Sequence, residues 1–193
     1  MTRLFLARHG ETDAEPGTSL LGRTGVELTD TGIEQARRLA DRLAGEDVDA
    51  VYASPLERAM KTAEPVAAAH DLEPQPMSGL RAAGYGEAAV DPDGETRGDA
   101  VPAAELEPAT GERLSDAVRR TMPVVDGVRE RHPDGTVVLV GHGQVNRAVL
   151  VAALGTDSGR GHRIRQDSAC LNVLEHEDYR GWRIDTVNDT SHL

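Results

Sequence analysis

The sequence predicts an α/β fold whose central sheet is mostly parallel. Two short apolar runs, residues 4–7 and 137–140, each lead into a His-Gly pair, within Arg8-His9-Gly10 and Gly141-His142-Gly143. Short runs of this kind bounded by glycine are typical of buried parallel strands. Ligands bind beyond the carboxyl ends of such strands. We therefore expect both imidazoles at the edge of the sheet where chemistry takes place.

The first half of the chain predicts two strands, each followed by a helix. The strands are predicted over residues 3–8 and 49–53, and a polar loop runs from about residue 10 to 28. Apolar residues at helical spacing predict an amphipathic helix over residues 31–44. The second helix is predicted to run to about residue 70.

Capping signals predict where these two helices begin. The segment Leu28-Thr29-Asp30-Thr31 supplies capping oxygens for the first helix, and Glu34, three residues after Thr31, fits a capping box. Ser54 and Pro55 fit the N-cap and the first helical position of the second helix.

The second half predicts a helix, a strand, another helix and a closing β-hairpin. Their expected ranges are 111 to about 132, 136–141, 144–154, and 169–175 paired with 180–187. Residues 78–110 carry Gly, Pro, Asp and Glu without periodicity, and we interpret them as a variable segment that covers the site. Since no linker divides the chain, residues 1–193 are predicted to form one domain.

Composition limits the kinds of partner and the cellular location that we expect. The net charge of −12 argues against a nucleic acid or an acidic membrane as partner. Cys170 is the only cysteine, which excludes an internal disulfide and a cysteine-based zinc site. The first apolar run is too short for a signal peptide and no stretch is long enough to span a bilayer, so a cytoplasmic protein is expected. A homodimer is compatible with the sequence.

The residue types at these motifs suit phosphoryl transfer without a metal or a cofactor. Arginine captures phosphate through two hydrogen bonds, and Arg8 adjoins His9. Arg58 lies in the first turn or so of a predicted helix, whose N-terminus also attracts anions. A neutral imidazole can attack phosphorus and carry the phosphoryl group, while a second histidine stabilises the charge on the equatorial oxygens.

Further residues beside the motifs are candidate binding groups. Gly10 and Gly143 flank the histidines and permit close approach of the backbone to a ligand. Thr12, a further candidate for substrate binding, and Glu11 are interpreted as polar groups that support the site. The remaining histidines are interpreted as structural or neutral; they are His70, His132, His162, His176 and His192.

Signatures of other hydrolases and of nucleotide binding are missing from the sequence. Cys170 has His176 rather than an arginine six residues later, which excludes a phosphatase with a cysteine nucleophile. The chain has no Gly-x-x-x-x-Gly-Lys loop for a nucleotide and no Gly-x-Ser-x-Gly elbow for a serine hydrolase.

Four motifs together resemble the histidine phosphatase superfamily, the phosphoglycerate mutase-like proteins. They are Arg8-His9-Gly10-Glu11-Thr12, Leu28-Thr29-x-x-Gly32-x-x-Gln35-Ala36, Ser54-Pro55-x-x-Arg58-x-x-x-Thr62-Ala63 and Gly141-His142-Gly143. Two further segments, beginning at Gly22 and Val187, resemble a bacterial subgroup often labelled phosphomutase. The resemblance implies a three-layer α/β/α sandwich. It also implies that His9 accepts the phosphoryl group, and that Arg8, Arg58 and His142 form the phosphate pocket.

The chain departs from the family pattern where the general acid is expected. The family's glutamate follows the pattern Leu-x-Glu-x-x-x-Gly, and aligning residues 80–86 puts Ala82 in its place. Ala89 stands where a second glutamate is common, and Glu15 stands near the place of a phosphate-contacting asparagine. Three explanations are open: Glu87 supplies the proton, the substrate has a good leaving group, or activity has decayed.

Three functions are compatible with these residues. The leading hypothesis is a phosphohydrolase that cleaves a phosphate ester or anhydride of a small metabolite through a phosphohistidine. The second is a low-activity phosphate-binding or regulatory module, and the third is a biosynthetic enzyme that uses the same scaffold for elimination or a mutase reaction. The intact set of His9, Arg8, Arg58 and His142 favours the first, whereas Ala82 favours the other two.

Overall fold

The central sheet has six strands in the computed structural model, which describes residues 1–13, 26–82 and 112–193. The strands are β1 (Thr2–Arg8), β2 (Ala50–Ala53), β3 (Gln75–Pro76), β4 (Thr136–Gly141), β5 (Leu171–Glu177) and β6 (Gly181–Asp189). Their order across the sheet is β3-β2-β4-β1-β5-β6.

The pairing confirms a mostly parallel sheet with a closing hairpin. Strands β3, β2, β4 and β1 run parallel to one another. Strand β5 pairs antiparallel with β1 and then with β6, the two strands of the predicted hairpin. The carboxyl ends of β1, β2 and β4 therefore meet at one edge.

Helices cover both faces of the sheet, as expected for an α/β/α sandwich. They are α1 (Asp30–Leu43), α2 (Glu57–Ala68), α3 (Leu114–Arg131) and α4 (Gly143–Ala153). Phe5 and Ala7 of β1 join a core cluster with α1 and α2, while Leu4 and Leu6 join a second cluster with α3 and α4. Alternate residues of one strand thus point to opposite helical layers. In the described part of the chain, no helix is both long and apolar enough to cross a membrane.

The observed N-caps lie two residues from Thr31 and Ser54, although α1 begins within one residue of its predicted start. The N-cap of α1 is Thr29, whose hydroxyl accepts from the N–H of Gly32, and Thr31 lies inside the helix. The N-cap of α2 is Leu56, with no side-chain cap. Ser54 remains in the sheet because its N–H donates to the carbonyl of Val140 at 2.9 Å, and this bond keeps it out of the helix.

Three short elements were not predicted, and one of them is a 3₁₀ turn at Ser158–Arg163. Strand β3 is only two residues long and contains a proline, so it carries no periodic signal. Residues Ser78–Leu80 form a 3₁₀ turn at the start of the predicted variable segment, and Arg120 of α3 donates to the carbonyl of Gly79 at 2.6 Å. Residues 83–111 lie outside the described part of the chain, so the variable segment stays a prediction there.

Glycine is required where β1 leads into α1. A Cβ on Gly10 would lie 2.5 Å from the carbonyl oxygen of Gly32, and a Cβ on Gly32 would overlap the carbonyl oxygen of Glu11. Because both obstacles are backbone atoms, neither can move aside without displacing the chain. The segment after His9 is therefore packed directly on the first turn of α1.

We expect Gly32→Ala to destabilise the protein by about 1–3 kcal/mol, since overpacking of a tight contact costs about that much. Urea denaturation followed by circular dichroism measures the change. Gly127→Ala is the matched control, because Gly127 lies within α3 with open space around its Cβ position. That control should gain up to about 1 kcal/mol from helix propensity. Equal midpoints for Gly32→Ala and the unmodified protein would contradict the packing argument.

Candidate active site

The parallel register of β1 and β4 brings the two histidines together. Arg8 pairs with Gly141, so the next residue on each strand is a histidine. The N–H of His9 donates to the carbonyl of Gly141 at 3.0 Å, which extends the ladder by one residue. The ring centroids of His9 and His142 are 5.1 Å apart, and the ring planes meet at 61°. Both side chains are buried, so they line a single site.

His9 is held in one tautomer by its own loop. Its Nδ1 lies 2.8 Å from the carbonyl oxygen of Gly10. A carbonyl oxygen only accepts, so Nδ1 donates and carries the ring proton. Burial, followed by the charge of Arg8, lowers the pKa of His9 to about 3. The ring is therefore neutral near pH 7, with the lone pair on Nε2.

Two guanidinium groups supply positive charge beside His9. Arg8 is the last residue of β1, and its Nη1 donates to the backbone carbonyl of Gln166 at 2.6 Å. Arg58 lies in the first turn of α2 and is only 2% exposed. The charges of both arginines lower the pKa of His9, so both groups are close enough to act on its ring. Two arginines beside a neutral imidazole favour an anionic ligand.

A buried network of amides fixes the carbonyl that holds Arg8. The side-chain Oε1 of Gln166 accepts from Nδ2 of Asn146 and of Asn172, both at 2.9 Å. Its Nε2 donates to Oδ1 of Asn172 at 2.8 Å, and Asn172 also donates to the carbonyl of Leu6 at 2.8 Å. These bonds tie Gln166 to α4, β5 and β1. No motif in the sequence marks these amides, which become neighbours only in the folded chain.

Thr62 links Arg58 to the loop of His9. Its hydroxyl donates to the carbonyl of Arg58 at 2.7 Å and accepts from the N–H of Gly10 at 3.0 Å. A substitution that removes the hydroxyl would leave a buried N–H without this acceptor. The spacing of four residues from Arg58 was the available sequence signal for Thr62.

His142 is the second histidine of the site, beside His9. It is the N-cap residue of α4, and its Nε2 lies 2.8 Å from Oγ of Ser54. Burial, followed by the proximity of His9 and of the Arg58 guanidinium, lowers the pKa of His142 well below its ordinary value. Ser54, predicted as a helix cap, instead contacts this imidazole. A Ser-Pro pair before a helix has the same local pattern in either role, so sequence alone missed the contact.

The predicted binding glycines and Thr12 have backbone roles in the structure. The requirement for glycine at position 10 comes from its contact with α1. Thr12 forms an isolated bridge with Leu28. Gly143 is the first residue of α4, and Nη1 of Arg147 lies 3.2 Å from the place that a Cβ on Gly143 would take. Contact of these three residues with a substrate stays a prediction.

Four further residues were singled out in the sequence: Glu11, Ala82, Glu87 and Glu15. Glu11 is exposed, and its carboxylate accepts from the hydroxyl of Thr29 at 2.9 Å, so it supports the start of α1. Ala82 is buried. Glu87 and Glu15 lie outside the described residues, so the role of Glu87 as acid stays a prediction. Among described residues, no group of three or more His, Cys, Asp or Glu side chains is placed to hold a metal ion.

The neutral state of His9 predicts a loss of stability in mild acid. Below its ordinary pKa of 6.5, the unfolded chain binds a proton that the folded chain refuses until about pH 3. Stability therefore falls as the pH drops through this window, by about 1 kcal/mol from His9 between about pH 7 and pH 5.5. Urea midpoints of the protein and of His9→Gln measure the difference, and the variant should show the shallower slope.

His162→Ala provides the control for this measurement, because His162 is exposed. It should keep the slope of the unmodified protein. A slope for His9→Gln equal to that of the unmodified protein would mean that His9 titrates normally in the folded state.

Comparison with known proteins agrees with this geometry. Residues 4–190 match the histidine phosphatase superfamily (branch 1). Phosphoserine phosphatase 1 of Hydrogenobacter thermophilus is 31% identical over 202 residues, covering 100% of this chain and 95% of that protein. The uncharacterized phosphatase PhoE of Bacillus subtilis is 32% identical over 193 residues, covering 100% and 97%.

A solved structure gives the same assignment. The mycobacterial glucosyl-3-phosphoglycerate phosphatase superposes with a TM-score of 0.84 at 28% identity, over 97% of this chain and 99% of that one. The chain is therefore an enzyme that belongs to the histidine phosphatase superfamily.

Proposed function

We propose that the protein is a phosphohydrolase that cleaves a phosphate ester or anhydride of a small metabolite through a phosphohistidine at His9. The observation that carries this proposal is the state of His9. Its Nδ1 is held on the carbonyl of Gly10, its ring is neutral, and a second imidazole and the charges of two arginines lie near that ring. A neutral imidazole with a fixed lone pair is a ready nucleophile.

The proposed first step is attack of His9 Nε2 on phosphorus. A P–N bond forms as the bond to the leaving oxygen breaks, and that oxygen takes up a proton. Arg8 and Arg58 balance the charge of the equatorial oxygens, and His142 donates a hydrogen bond to one of them. Water then attacks the phosphohistidine, which releases inorganic phosphate and restores neutral His9.

The group that protonates the leaving oxygen limits which substrates the enzyme can cleave. General-acid assistance is worth about 10²–10⁴-fold in rate, and Ala82 cannot supply it. An alkoxide leaving group needs this help, whereas an acyl phosphate, an enol phosphate or a diphosphate departs easily. The enzyme therefore either uses Glu87 as the acid or acts on a substrate with a good leaving group.

The names of the relatives support a small phosphorylated metabolite as substrate. One denotes a phosphatase acting on phosphoserine and another a phosphatase acting on glucosyl-3-phosphoglycerate. Both substrates are phosphomonoesters of small molecules that carry a carboxylate. We propose that residues 78–110, as the variable segment, select among such substrates. The alanine at position 82 is the observation that favours the alternative, a phosphate-binding module with low turnover.

We expect His9→Ala to abolish both turnover and covalent labelling by a ³²P-labelled phosphomonoester. Without Nε2 of His9, the phosphoryl group has no acceptor, so no acid-labile phosphoenzyme should be trapped. His162→Ala is the control, since it removes an exposed imidazole instead. Labelling that persists in His9→Ala would remove this residue from the proposed role.

The leaving group should decide the rate. If the general acid is lost, p-nitrophenyl phosphate should be hydrolysed and an alkyl phosphate such as phosphoserine should be slower by about 10²–10⁴-fold. Release of phosphate measures both rates. Comparable rates would show that a carboxylate elsewhere has taken the role, and Glu87→Gln should then slow the alkyl substrate alone. Binding of inorganic phosphate without turnover of either ester would favour the phosphate-binding module.

A further inference from the structure

Ser54 lies beside His142 because of the pairing between β2 and β4. Ala53 is opposite Val140, and the N–H of Ser54 donates to the carbonyl of Val140. Ser54 therefore continues β2 by one residue, at the edge where His142 follows β4. Its side chain is fully buried, so water does not compete for its hydroxyl.

The hydroxyl proton of Ser54 has one acceptor among the described residues. Oγ has two neighbours there: the backbone N–H of Leu56 at 3.4 Å and Nε2 of His142 at 2.8 Å. The N–H of Leu56 only donates. If Nε2 also donated to Oγ, the hydroxyl proton would be buried without an acceptor, at a cost of about 1–3 kcal/mol. The arrangement is satisfied when Ser54 donates to Nε2.

Among the described residues, the other ring nitrogen of His142 has no such hydrogen bond. Its Nδ1 is buried and has no hydrogen-bond partner among the described residues. A neutral imidazole carries one proton, and burial keeps this ring neutral. If Nε2 accepts from Ser54, the proton is on Nδ1. A buried N–H without a partner, in a ring 5.1 Å from that of His9, is suited to a ligand acceptor.

We propose that Ser54 is a positioning residue that holds His142 as its Nδ1–H tautomer and so presents Nδ1–H to a phosphoryl oxygen. The identity of the acceptor rests on the proposed function, but the tautomer does not. Without Ser54, the proton is free to move to Nε2, and the lone pair on Nδ1 would then repel the anionic oxygens. Ser54 acts only through His142 and transfers no proton to the substrate.

Nuclear magnetic resonance of the ¹⁵N-histidine-labelled protein tests the tautomer directly. In the unmodified protein we expect a pyrrole-type Nδ1 and a pyridine-type Nε2 for His142, assigned by comparison with His142→Gln. Addition of inorganic phosphate should shift the Nδ1–H proton. In Ser54→Ala, the His142 signals should move toward a mixture of tautomers. A pyrrole-type Nε2 in the unmodified protein would overturn the proposal, and this measurement needs no variant at position 54 to fold.

Kinetics with p-nitrophenyl phosphate tests the consequence. We expect Ser54→Ala to lower kcat by about 10–100-fold, less than the loss of about 10²–10³-fold when a transition-state donor is removed altogether. KM should change much less, because the hydrogen bond strengthens as charge develops on the phosphoryl oxygens. Thr121→Val is the matched control: it deletes another buried hydroxyl, which contacts the carbonyl of Gly79. It should leave kcat and the His142 signals unchanged.

The outcomes separate this inference from the proposed function. An unchanged kcat in a folded Ser54→Ala variant would overturn the positioning role. If the unmodified protein hydrolyses no phosphate ester, the proposed function fails, while the tautomer of His142 and its response to inorganic phosphate still decide the role of Ser54.

Discussion

The site depends on the parallel pairing of β1 and β4. Because Arg8 is opposite Gly141, one residue more on each strand places His9 beside His142, although they are far apart in the sequence. The pairing of β2 with β4 adds Ser54 to the same edge. A shift of one residue in either register would turn one of these side chains to the other face of the sheet. The apolar cores on both faces keep the register fixed.

Two buried imidazoles lie beside two arginines, an arrangement whose positive charge favours an anionic ligand. Desolvation and the neighbouring cations both disfavour a proton on either ring, so among the described residues the positive charge near the two imidazoles is on guanidinium groups. Under the proposed function, the arginines would attract the phosphate group, and the neutral imidazole keeps the lone pair that a protonated ring would lose. An enzyme with a net charge of −12 thus holds a local positive field against its overall charge.

Local pattern in the sequence was enough for the strands other than β3, the four α-helices and the two His-Gly motifs, because burial and helical spacing are visible in consecutive residues. The start of α2 was wrong where a tertiary contact decides it: Ser54 follows the sheet rather than the helix. Gln166 and Asn172 were missed for a related reason, since an amide that bonds to a distant strand has no local signature. Gly10 was identified, but its constraint is the backbone of α1. The residue types predicted the proposed chemistry, whereas the residues that support the site become neighbours only when the chain folds.

The carbonyl of Gln166 holds one of the two arginines from far along the chain. It accepts a hydrogen bond from Arg8, and the side chain of Gln166 is itself hydrogen-bonded to Asn172 on β5, the first strand of the terminal hairpin. A fragment that ended before residue 166 would keep both histidines and both arginines but would lose the carbonyl that accepts from Arg8. The smallest unit able to keep Arg8 in place is thus larger than the stretch that contains both histidines and both arginines.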